Sequence, residues 1–445
     1  MTSAGVTALR GGLVTFTGDP FVAGAAATCR FEADALVVMK EGRIIDCGPA
    51  AAVASRHPED VPIVSYANAL ITAGFVDTHV HYPQLPVIGA GGKPLLEWLS
   101  GYTFPAEERY ADADYARAVA RIYLRENLRN GITSAAVFCT VHPASVEALF
   151  GEAHALGLRL IAGKVLMDRN APAPLLDTAQ RGFDESQALI ARWHGKGRLA
   201  YAITPRFAVT STPAQLDAAG ALKREHPDVY VQSHVSENLA EIELVRTLYP
   251  EASSYLDVYA RHGLTGRRTI YGHGVHLTES DFCFLHESQT ALAHCPTSNN
   301  FLGSGHFRLG AAMDARRPVR VGLATDLGGG TSFSMLRTMQ AAYEVAQLSG
   351  SPLPPSSALY LATRGAARAL DLDDRIGSVA PGMEADLAVL DLHSTPLIAF
   401  RMGYAKDIDE TLAIQMALAG DRAVRATYVA GRCAYDRDAH PDRLR

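Results

Sequence analysis

The pattern of hydrophobic and polar positions divides the chain into three parts. In residues 1–70, short β-type runs alternate with turns, and helical periodicity is largely absent. Between 71 and 375, apolar β-branched runs alternate with Ala- and Leu-rich segments whose apolar residues recur at helical spacing. From 376 to 445 the β-type alternation returns. We therefore expect a central domain of strands and helices, with a small β-sandwich lobe built from both ends of the chain.

Eight apolar runs in the central part are the expected strands. They lie at 69–80, 132–138, 159–167, 199–207, 229–234, 269–277, 289–293 and 319–324. Segments with helical periodicity separate them, for example 115–128, 143–156, 184–193, 213–225 and 239–248. Eight such units in a domain of roughly 250 residues or more predict an α/β fold of the (β/α)8 TIM-barrel type. A doubly wound open sheet is the alternative, but the first strand is not followed by its phosphate-binding G-x-G-x-x-G.

A long segment after the first strand, 83–108, is predicted to be a loop. It contains Gly and Pro together with Trp98, Tyr102 and Phe104. Long loops in compact domains are usually functional or disordered, and the aromatic residues argue against disorder. We expect this loop to form part of a pocket wall. The alternative is a loop that only packs against the β lobe.

Composition limits the classes of partner. The chain has 445 residues, of which 48% are hydrophobic, and 41 basic against 47 acidic residues give a net charge of −6. Because no basic block is present, we expect neither nucleic acid nor an anionic membrane as a partner. No run of 18 apolar residues and no signal-peptide pattern occurs, so a soluble cytoplasmic protein is the simplest interpretation. Six scattered cysteines without a C-x-x-C pair predict buried free thiols.

Histidines and one aspartate at the expected strand ends are candidate metal ligands. His79 and His81 are two residues apart on a strand and therefore face the same side. A His-x-His pair alone is more often an accident of sequence, but His234 and Asp326 also follow strand-like runs. In a parallel barrel all these ends meet on one face. Three neutral nitrogens and one carboxylate would bind a divalent ion and leave it positive enough to lower the pKa of its water.

Glu237 is the candidate proton carrier. It lies three residues after His234, in the expected loop beyond the strand, where a carboxylate could take a proton from that water and pass it to the substrate. The alternative is that Glu237 only begins the helix that follows.

Two further histidines compete for a place beside the water. His273 and His276 are an odd number of residues apart, so they cannot both point inward from one strand. We expect His273 to lie near the water and His276 to be a packed or capping residue. His294, at the end of the seventh expected strand, either lines the pocket or only holds its loop.

Taken together, the motifs resemble those of the amidohydrolase superfamily, nearly from end to end. They are Gly74-Phe75-Val76-Asp77-Thr78-His79-Val80-His81, Tyr82-Pro83-Gln84, Pro205-Arg206-Phe207, His234-Val235-Ser236-Glu237-Asn238, His294-Cys295-Pro296-x-Ser298-Asn299 and Thr325-Asp326-x-Gly328-Gly329-Gly330. The His-x-His opening and the closing Asp are typical of the whole superfamily. The other motifs, taken together, are similar to those of its members that act on guanine. The usual Pro before Gly74 is Ala73 here, outside the expected pocket.

The resemblance implies a reaction and a site. The reaction is hydrolytic deamination of guanine at C2, which gives xanthine and ammonia. The implied metal centre holds one zinc per subunit on His79, His81, His234 and Asp326, with iron as an alternative ion. The implied catalytic residues are Glu237 as proton shuttle, His273 as partner of the water and Asp326 as second base. The implied substrate-binding residues are His81, Tyr82, Pro83, Gln84, Arg206, Phe207, His234, Glu237 and Asp326, with Gln84 and Arg206 on the polar edge of the purine and Phe207 stacked on the ring. The implied assembly is a homodimer.

Three alternatives remain open from the sequence. The chain could deaminate another aminopurine or a pterin-like ring, or hydrolyse a cyclic amide. It could also be a non-catalytic binding protein on this fold, although such proteins typically lose ligands and all five metal and proton-transfer positions are present here. Relatives with two metals bridge them with a carbamylated lysine at the end of the fourth strand. Here that strand ends in Thr204-Pro205-Arg206, and Lys164 lies in the third, so we expect a single metal.

Overall fold

The computed structural model describes residues 5–57 and 61–439. Its strands are β1 (Val6–Phe16), β2 (Cys29–Lys40), β3 (Arg43–Pro49), β4 (Ile63–Ala73), β5 (Phe75–His81), β6 (Ile132–Phe138), β7 (Arg159–Gly163), β8 (Val165–Leu166), β9 (Leu199–Pro205), β10 (Tyr230–Val235), β11 (Thr269–His273), β12 (Ala291–His294), β13 (Val321–Leu323), β14 (Leu387–Asp391), β15 (Val424–Val429) and β16 (Arg432–Asp436).

The α-helices are α1 (Pro20–Ala23), α2 (Ala25–Thr28), α3 (Ala50–Ala54), α4 (Leu95–Trp98), α5 (Phe104–Glu108), α6 (Ala113–Arg129), α7 (Pro143–Leu156), α8 (Ala179–Trp193), α9 (Pro213–Glu225), α10 (Leu239–Leu248), α11 (Tyr255–Arg261), α12 (Glu279–Ser288), α13 (Pro296–Phe301), α14 (Leu309–Ala312), α15 (Met335–Leu348), α16 (Pro355–Ala362), α17 (Arg364–Ala369), α18 (Pro396–Met402) and α19 (Ile408–Leu418). Short 3-10 turns lie at Tyr82–Val87, Arg109–Ala111, Ala173–Leu175, Ala208–Thr210 and Asp421–Ala423, and a π-helical turn at Leu99–Thr103.

A parallel barrel forms the centre of the molecule. Its strands follow the order β5, β6, β7, β9, β10, β11, β12 and β13, with the two-residue β8 also paired to β9. The two ends of this sheet meet, since the Thr78 hydroxyl donates to the Leu323 oxygen (2.9 Å) and the Asp326 N–H donates to the His79 oxygen (3.0 Å). The expected (β/α)8 barrel is confirmed. Because its strands are parallel, their carboxyl ends share one face.

Both ends of the chain build one lobe beside the barrel, as expected. Its seven strands follow the order β16, β15, β14, β4, β1, β2 and β3. The sheet folds back on itself, because the Ile44 N–H donates to the Met383 oxygen at 2.9 Å and so joins β3 to the segment before β14. Buried side chains from distant strands, such as Val37 and Tyr428, share one core inside the fold.

The prediction of one continuous first strand over 69–80 is wrong. The segment is divided at Gly74 into β4 of the lobe and β5 of the barrel. The Gly74 N–H donates to the Asp386 oxygen at 2.8 Å, and a Cβ at Gly74 would lie 2.2 Å from Oγ1 of Thr133. The chain therefore crosses between two sheets at a position where no side chain fits. Both strands are apolar and buried here, so periodicity alone did not separate them.

The segment 83–108 is also not the expected loop. Most of it is helical: a 3-10 turn is followed by α4, the π-helical turn and α5. These are short pieces, each of about one turn, and they carry too few residues for a helical period to be visible in the sequence. The segment between α4 and α5 lies over the carboxyl end of the barrel, and its inner side chains are buried.

The carboxy-terminal part is not purely β. Helices α18 and α19 lie between β14 and β15, and α19 packs on α15 and α16 of the barrel. A buried ion-pair network also joins the lobe to the barrel: Arg159 binds Glu384, and Arg198 binds both Glu384 and Asp386 at 2.7 Å. The domain bounds 1–70, 71–375 and 376–445 stay a prediction.

Two smaller expectations concern the cysteines and the membrane. Cys139 and Cys295 are buried free thiols as expected, but Cys29, Cys47 and Cys283 are half-buried and Cys433 is exposed. Within residues 5–57 and 61–439, every helix is too short or too polar to span a bilayer.

Candidate active site

The four expected metal ligands lie together at the carboxyl end of the barrel. His79 and His81 come from β5, His234 from β10, and Asp326 from the turn after β13. The Nε2 atoms of His81 and His234 are 3.0 Å apart. Asp326 Oδ1 lies 3.5 Å from His79 Nε2 and 3.8 Å from His81 Nε2. Three nitrogens and a carboxylate oxygen therefore converge on one point, as the strand-end pattern predicted.

The backbone is left-handed at three positions around this point. Ser236, His273 and Asp326 have φ of 49°, 72° and 45°, a region that side-chain-bearing residues seldom adopt. All three follow or end barrel strands, where the chain turns from the sheet into a loop. Such conformations cluster at functional sites because they aim a side chain where regular structure would not.

The cluster fits a divalent ion. Burial lowers the pKa of His79, His81 and His234, so their imidazoles are neutral, which is the form that binds metal. His234 Nδ1 donates to the Arg206 backbone oxygen at 2.6 Å, and this leaves the Nε2 lone pair facing the cluster. The buried His79 Nε2 has no hydrogen-bond partner in the part of the chain that the structure describes. A ligand atom of this kind, with a fixed tautomer beside it, is typical of a metal centre.

Glu237 lies beside the cluster and outside the following helix. Asn238 caps α10, so Glu237 precedes the helix and the alternative role of helix-starting residue does not apply. Its Oε2 lies 3.4 Å from His273 Nε2, and its Oε1 accepts a hydrogen bond from the Ser304 hydroxyl at 3.1 Å. Burial raises the pKa of Glu237 to about 7, a value suited to a group that both accepts and donates a proton.

His273 connects the two carboxylates of the site. Its Nε2 lies between Glu237 and Asp326 Oδ2, the latter at 3.7 Å, and its Nδ1 donates to the Asn299 oxygen at 2.9 Å. Burial alone would lower the pKa of His273, but the charges of Glu237 and Asp326 outweigh it and the pKa is raised. His276 points elsewhere and binds the Ser304 oxygen at 2.8 Å. This agrees with the expected division of roles between the two histidines.

A cavity opens onto the cluster. It is lined by His81, Gln84, Leu95, Trp98, Leu99, Arg206, Phe207, His234, Glu237, His273, Leu302, Asp326 and Gly329. Four of these, Gln84, Leu95, Trp98 and Leu99, come from the segment that was expected to be a loop, so the expectation that it forms part of a pocket wall is confirmed. The lining combines apolar side chains, such as Leu95, Leu99 and Phe207, with polar groups, such as Gln84 and Arg206, and this combination suits a small flat ring that carries polar edge atoms.

Tyr82 and Pro83, expected at the substrate, are not among the lining residues. The Tyr82 hydroxyl donates to the Ser145 oxygen at 2.8 Å, and the Tyr82 ring lies edge-on against Tyr110 at 5.3 Å. This side chain therefore points away from the cavity and into the barrel wall. His294 does not line the cavity either, since its ring stacks on Phe307. The Tyr-Pro pair shapes the turn that brings Gln84 to the pocket.

The sequence did not reveal two residues of the site, Glu107 and Ser304. Glu107 is fully buried on α5, where both of its oxygens accept from Arg206 Nη1 at 2.9 and 2.7 Å. No motif contains Glu107, and its helix was expected to be a loop. Ser304 follows α13 in an irregular turn and likewise belongs to no motif. Glu241 was detectable, because Asn238 and Glu241 have the spacing of a capping box.

Lys164 takes no part in the cluster. It follows β7, is buried, and forms ion pairs with Asp177 and, at 3.3 Å, with Glu185. Its amine is therefore occupied outside the site, in line with the expectation of a single metal.

The chain was compared with known proteins. The amidohydrolase family model matches residues 70–434. Guanine deaminase of Escherichia coli (strain K12) is 47% identical over 413 residues, which are 93% of this chain and 94% of that protein. The solved structure of E. coli guanine deaminase covers 97% of this chain and 100% of its own, with a TM-score of 0.94 and 46% identity. A C. acetobutylicum guanine deaminase, solved with guanine bound in its active site, has a TM-score of 0.87 at 27% identity and covers 97% and 100%.

Fold, cluster and family model together define a metal-dependent hydrolase: the chain belongs to the amidohydrolase family. Within that family, the relatives compared here are guanine deaminases, and the similarity to them extends over nearly the whole chain.

Proposed function

We propose that this protein is a guanine deaminase, which converts guanine and water into xanthine and ammonia. The observation that carries the proposal is the cavity itself: Gln84, Arg206 and Phe207 line the same space as the metal-ligand cluster and Glu237. A purine seated between these groups would present C2 to the cluster. The 47% identity to the E. coli guanine deaminase supports the same assignment.

One zinc ion per subunit is the proposed cofactor, held by His79, His81, His234 and Asp326. A set of three imidazoles and one carboxylate suits zinc, and iron binds similar ligands. When bound, such an ion lowers the pKa of water toward neutrality and so supplies a nucleophile at physiological pH.

Glu237 is the proposed proton carrier. Its carboxylate takes a proton from the attacking water and passes that proton to the ring nitrogen N3 as the oxygen adds to C2. The second proton of the water leaves with the amino group, which departs as ammonia, and the C2–N bond breaks. His273 Nε2 lies 3.4 Å from Glu237 Oε2 and 3.7 Å from Asp326 Oδ2. His273 and Asp326 are therefore the groups proposed to hold the attacking oxygen and to accept its remaining proton.

Three residues are proposed to select the purine. Arg206 and Gln84 carry N–H donors suited to the O6 and N7 acceptors of guanine, and the Gln84 carbonyl can accept from N1–H. Phe207 provides a face on which the ring stacks. We include His81, His234, Glu237 and Asp326 as residues that touch the ring near C2, because all four line the cavity. Tyr82 and Pro83 do not line the cavity, so their proposed contribution is to the turn that carries Gln84.

Isotope labelling tests this chemistry. The metal-replete protein is incubated with guanine in water enriched in ¹⁸O, and the purine product is examined by mass spectrometry. One labelled oxygen in a product identified as xanthine is the expected result. An unlabelled product would contradict hydrolysis at C2. A labelled product whose ring is opened would favour the cyclic-amide alternative.

We also propose that the protein forms homodimers. The support is a group of exposed apolar side chains on α18 and the turn after it: Leu397, Phe400 and Tyr404 are 61%, 65% and 62% exposed. Sedimentation analysis of a Leu397→Ser, Phe400→Ser variant should show a monomer if this surface carries the contact. Val22→Ser, at an apolar residue of the lobe that is 66% exposed, is the matched control. The cytoplasmic location stays a prediction, to be checked by cell fractionation.

A further inference from the structure

Glu107 and Arg206 form a fully buried ion pair at the wall of the cavity. Arg206 is 2% exposed and Glu107 is 0% exposed. Both Glu107 oxygens accept from the same nitrogen, Nη1 of Arg206, and the Gln84 side chain also hydrogen-bonds this carboxylate. Glu107 therefore contacts both of the side chains proposed to bind the polar edge of the purine, although it does not line the cavity itself.

Helix α5 holds the Arg206 guanidinium from two sides. Glu107 binds it through hydrogen bonds, and the Phe104 ring, three residues earlier on the same helix, lies 5.5 Å from the guanidinium carbon. The helix continues directly from the π-helical turn Leu99–Thr103, and Trp98 and Leu99 line the cavity. The position of the guanidinium is thus set by the same segment that forms the pocket wall.

The pair also fixes the charge of the pocket wall. An unpaired guanidinium in a buried pocket attracts anions strongly, because few other charges or waters screen it. Paired with Glu107, it keeps its N–H donors but adds no net charge. This matters for the proposed reaction because xanthine has two ring carbonyls flanking an N–H and is therefore a stronger acid than guanine. A neutral wall binds the uncharged substrate and does not retain the anion of the product.

We infer that Glu107 is a positioning residue that determines specificity: it orients Arg206 and Gln84 toward guanine and cancels the charge that would otherwise hold the xanthine anion. This inference rests on the proposed function. It assigns two separable effects to one carboxylate, orientation and charge, and each has its own measurable consequence.

Glu107→Gln removes the charge and keeps the size of the side chain. KM for guanine should rise about tenfold, since a charge-assisted hydrogen bond is lost, while kcat should change much less. Inhibition by xanthine should become about tenfold stronger, and only above the pH at which xanthine ionises. Glu107→Asp keeps the charge but is one methylene shorter, so it should raise KM and leave xanthine inhibition as in the wild type.

Two comparisons make the result specific. The control is Glu152→Gln, which breaks an ion pair with Arg121 on the outer helices. It should change neither KM for guanine nor the inhibition by xanthine. In an Arg206→Ala background, Glu107→Gln should change KM for guanine much less than it does in the wild type, because Glu107 orients the purine mainly through Arg206. A merely structural role would raise KM without any pH-dependent change in xanthine inhibition, and that outcome overturns the inference.

Folding and the proposed function are checked separately. Circular dichroism and metal content are measured for every variant. If Glu107→Gln does not fold, the inference is tested with Glu107→Asp instead, and an unchanged KM for guanine in that variant overturns it. Purine binding is followed by fluorescence of Trp98, which lines the cavity, in a Trp193→Phe background that removes the other tryptophan. If the wild type neither binds nor deaminates guanine, the proposed function is wrong, and the inference that rests on it is wrong as well. If the wild type does both and Glu107→Gln behaves identically, only the inference fails.

Discussion

His234 Nδ1 lies 2.6 Å from the backbone oxygen of Arg206, so a proposed metal ligand and a proposed purine-binding residue are joined by one hydrogen bond. Arg206 directly follows β9, and His234 is the penultimate residue of the neighbouring strand β10. The bond fixes the tautomer of His234, and the side chain of Arg206 extends from the same residue into the cavity wall. Metal site and substrate site are therefore built on one rigid frame, as a hydrolytic site needs.

The metal cluster should contribute to stability as well as to activity. Chelation should abolish ammonia release and lower Tm, because an ion that binds only the folded state adds about 4 kcal/mol when its concentration is a thousand times Kd. His234→Ala should lose metal by elemental analysis and show no chelator-dependent shift in Tm. His154→Ala, at an exposed histidine of α7, should keep its metal and its chelator-dependent shift in Tm. Full metal content in His234→Ala would remove it from the ligand set.

Glu237→Gln should stop turnover without loss of metal. The amide cannot accept the proton from water, and general acid–base groups contribute about 10²-fold to 10⁴-fold to the rate. Activity and metal content are measured on the same sample. The matched control is Glu243→Gln, an exposed carboxylate on α10, which should be fully active. Loss of metal in Glu237→Gln, or full activity, would show that the proton-carrier role is wrong.

Ser304→Ala should move the acid limb of the pH profile. The carboxylate of Glu237 is the form that accepts a proton, so kcat/KM falls as pH drops through its pKa. Burial raises this pKa to about 7 even though the Ser304 hydrogen bond lowers it, and a bound cation would lower it further. The wild-type limb is therefore expected below pH 7, and loss of the hydroxyl should shift it upward. Ser280→Ala, at an exposed residue, is the control. An unchanged acid limb in Ser304→Ala would contradict the effect of the Ser304 hydroxyl on the pKa of Glu237.

Gly74→Ala should destabilise the fold at the crossing between lobe and barrel. The added Cβ would lie 2.2 Å from Oγ1 of Thr133, and overpacking of this kind costs about 1–3 kcal/mol. The free energy of unfolding is measured in urea. Gly151→Ala is the opposite case: it lies exposed within α7 and its Cβ meets nothing within 4 Å, so it should stabilise by about 0.5–1 kcal/mol. Equal changes in the free energy of unfolding for the two variants would contradict the conclusion that Gly74 is required where the chain crosses from lobe to barrel.

Residues on regular strands were predictable from the sequence. His79 and His81 share a face because strand side chains alternate, and the parallel barrel brings His234 and Asp326 to the same end, so period and topology together specify the cluster. The crossing at Gly74 was not visible, since the apolar pattern is continuous across it. Its cause is a tertiary contact with Thr133, and sequence periodicity carries no information about such contacts.

Residues that act through long-range contacts were not predictable. Glu107 lies 99 positions from Arg206 and Ser304 lies 67 positions from Glu237, and each is placed by an irregular segment. Tyr82 was assigned to the substrate because it belongs to the same motif as Gln84. Its side chain turns the other way because the 3-10 turn that begins at Tyr82 replaces the alternation of the strand. A motif therefore identifies a segment that reaches the cavity but not the direction of each side chain.

The most direct test of the central claim is an ammonia-release assay on purified, metal-replete protein, with guanine, adenine, cytosine and isoguanine compared side by side and repeated after chelation. We predict that ammonia is released selectively from guanine, and that the release stops on chelation and returns when zinc is added. Ammonia from a different ring would keep the metal chemistry but contradict the roles of Gln84 and Arg206. Ammonia from none of the four, with metal bound, would contradict the assignment as a deaminase.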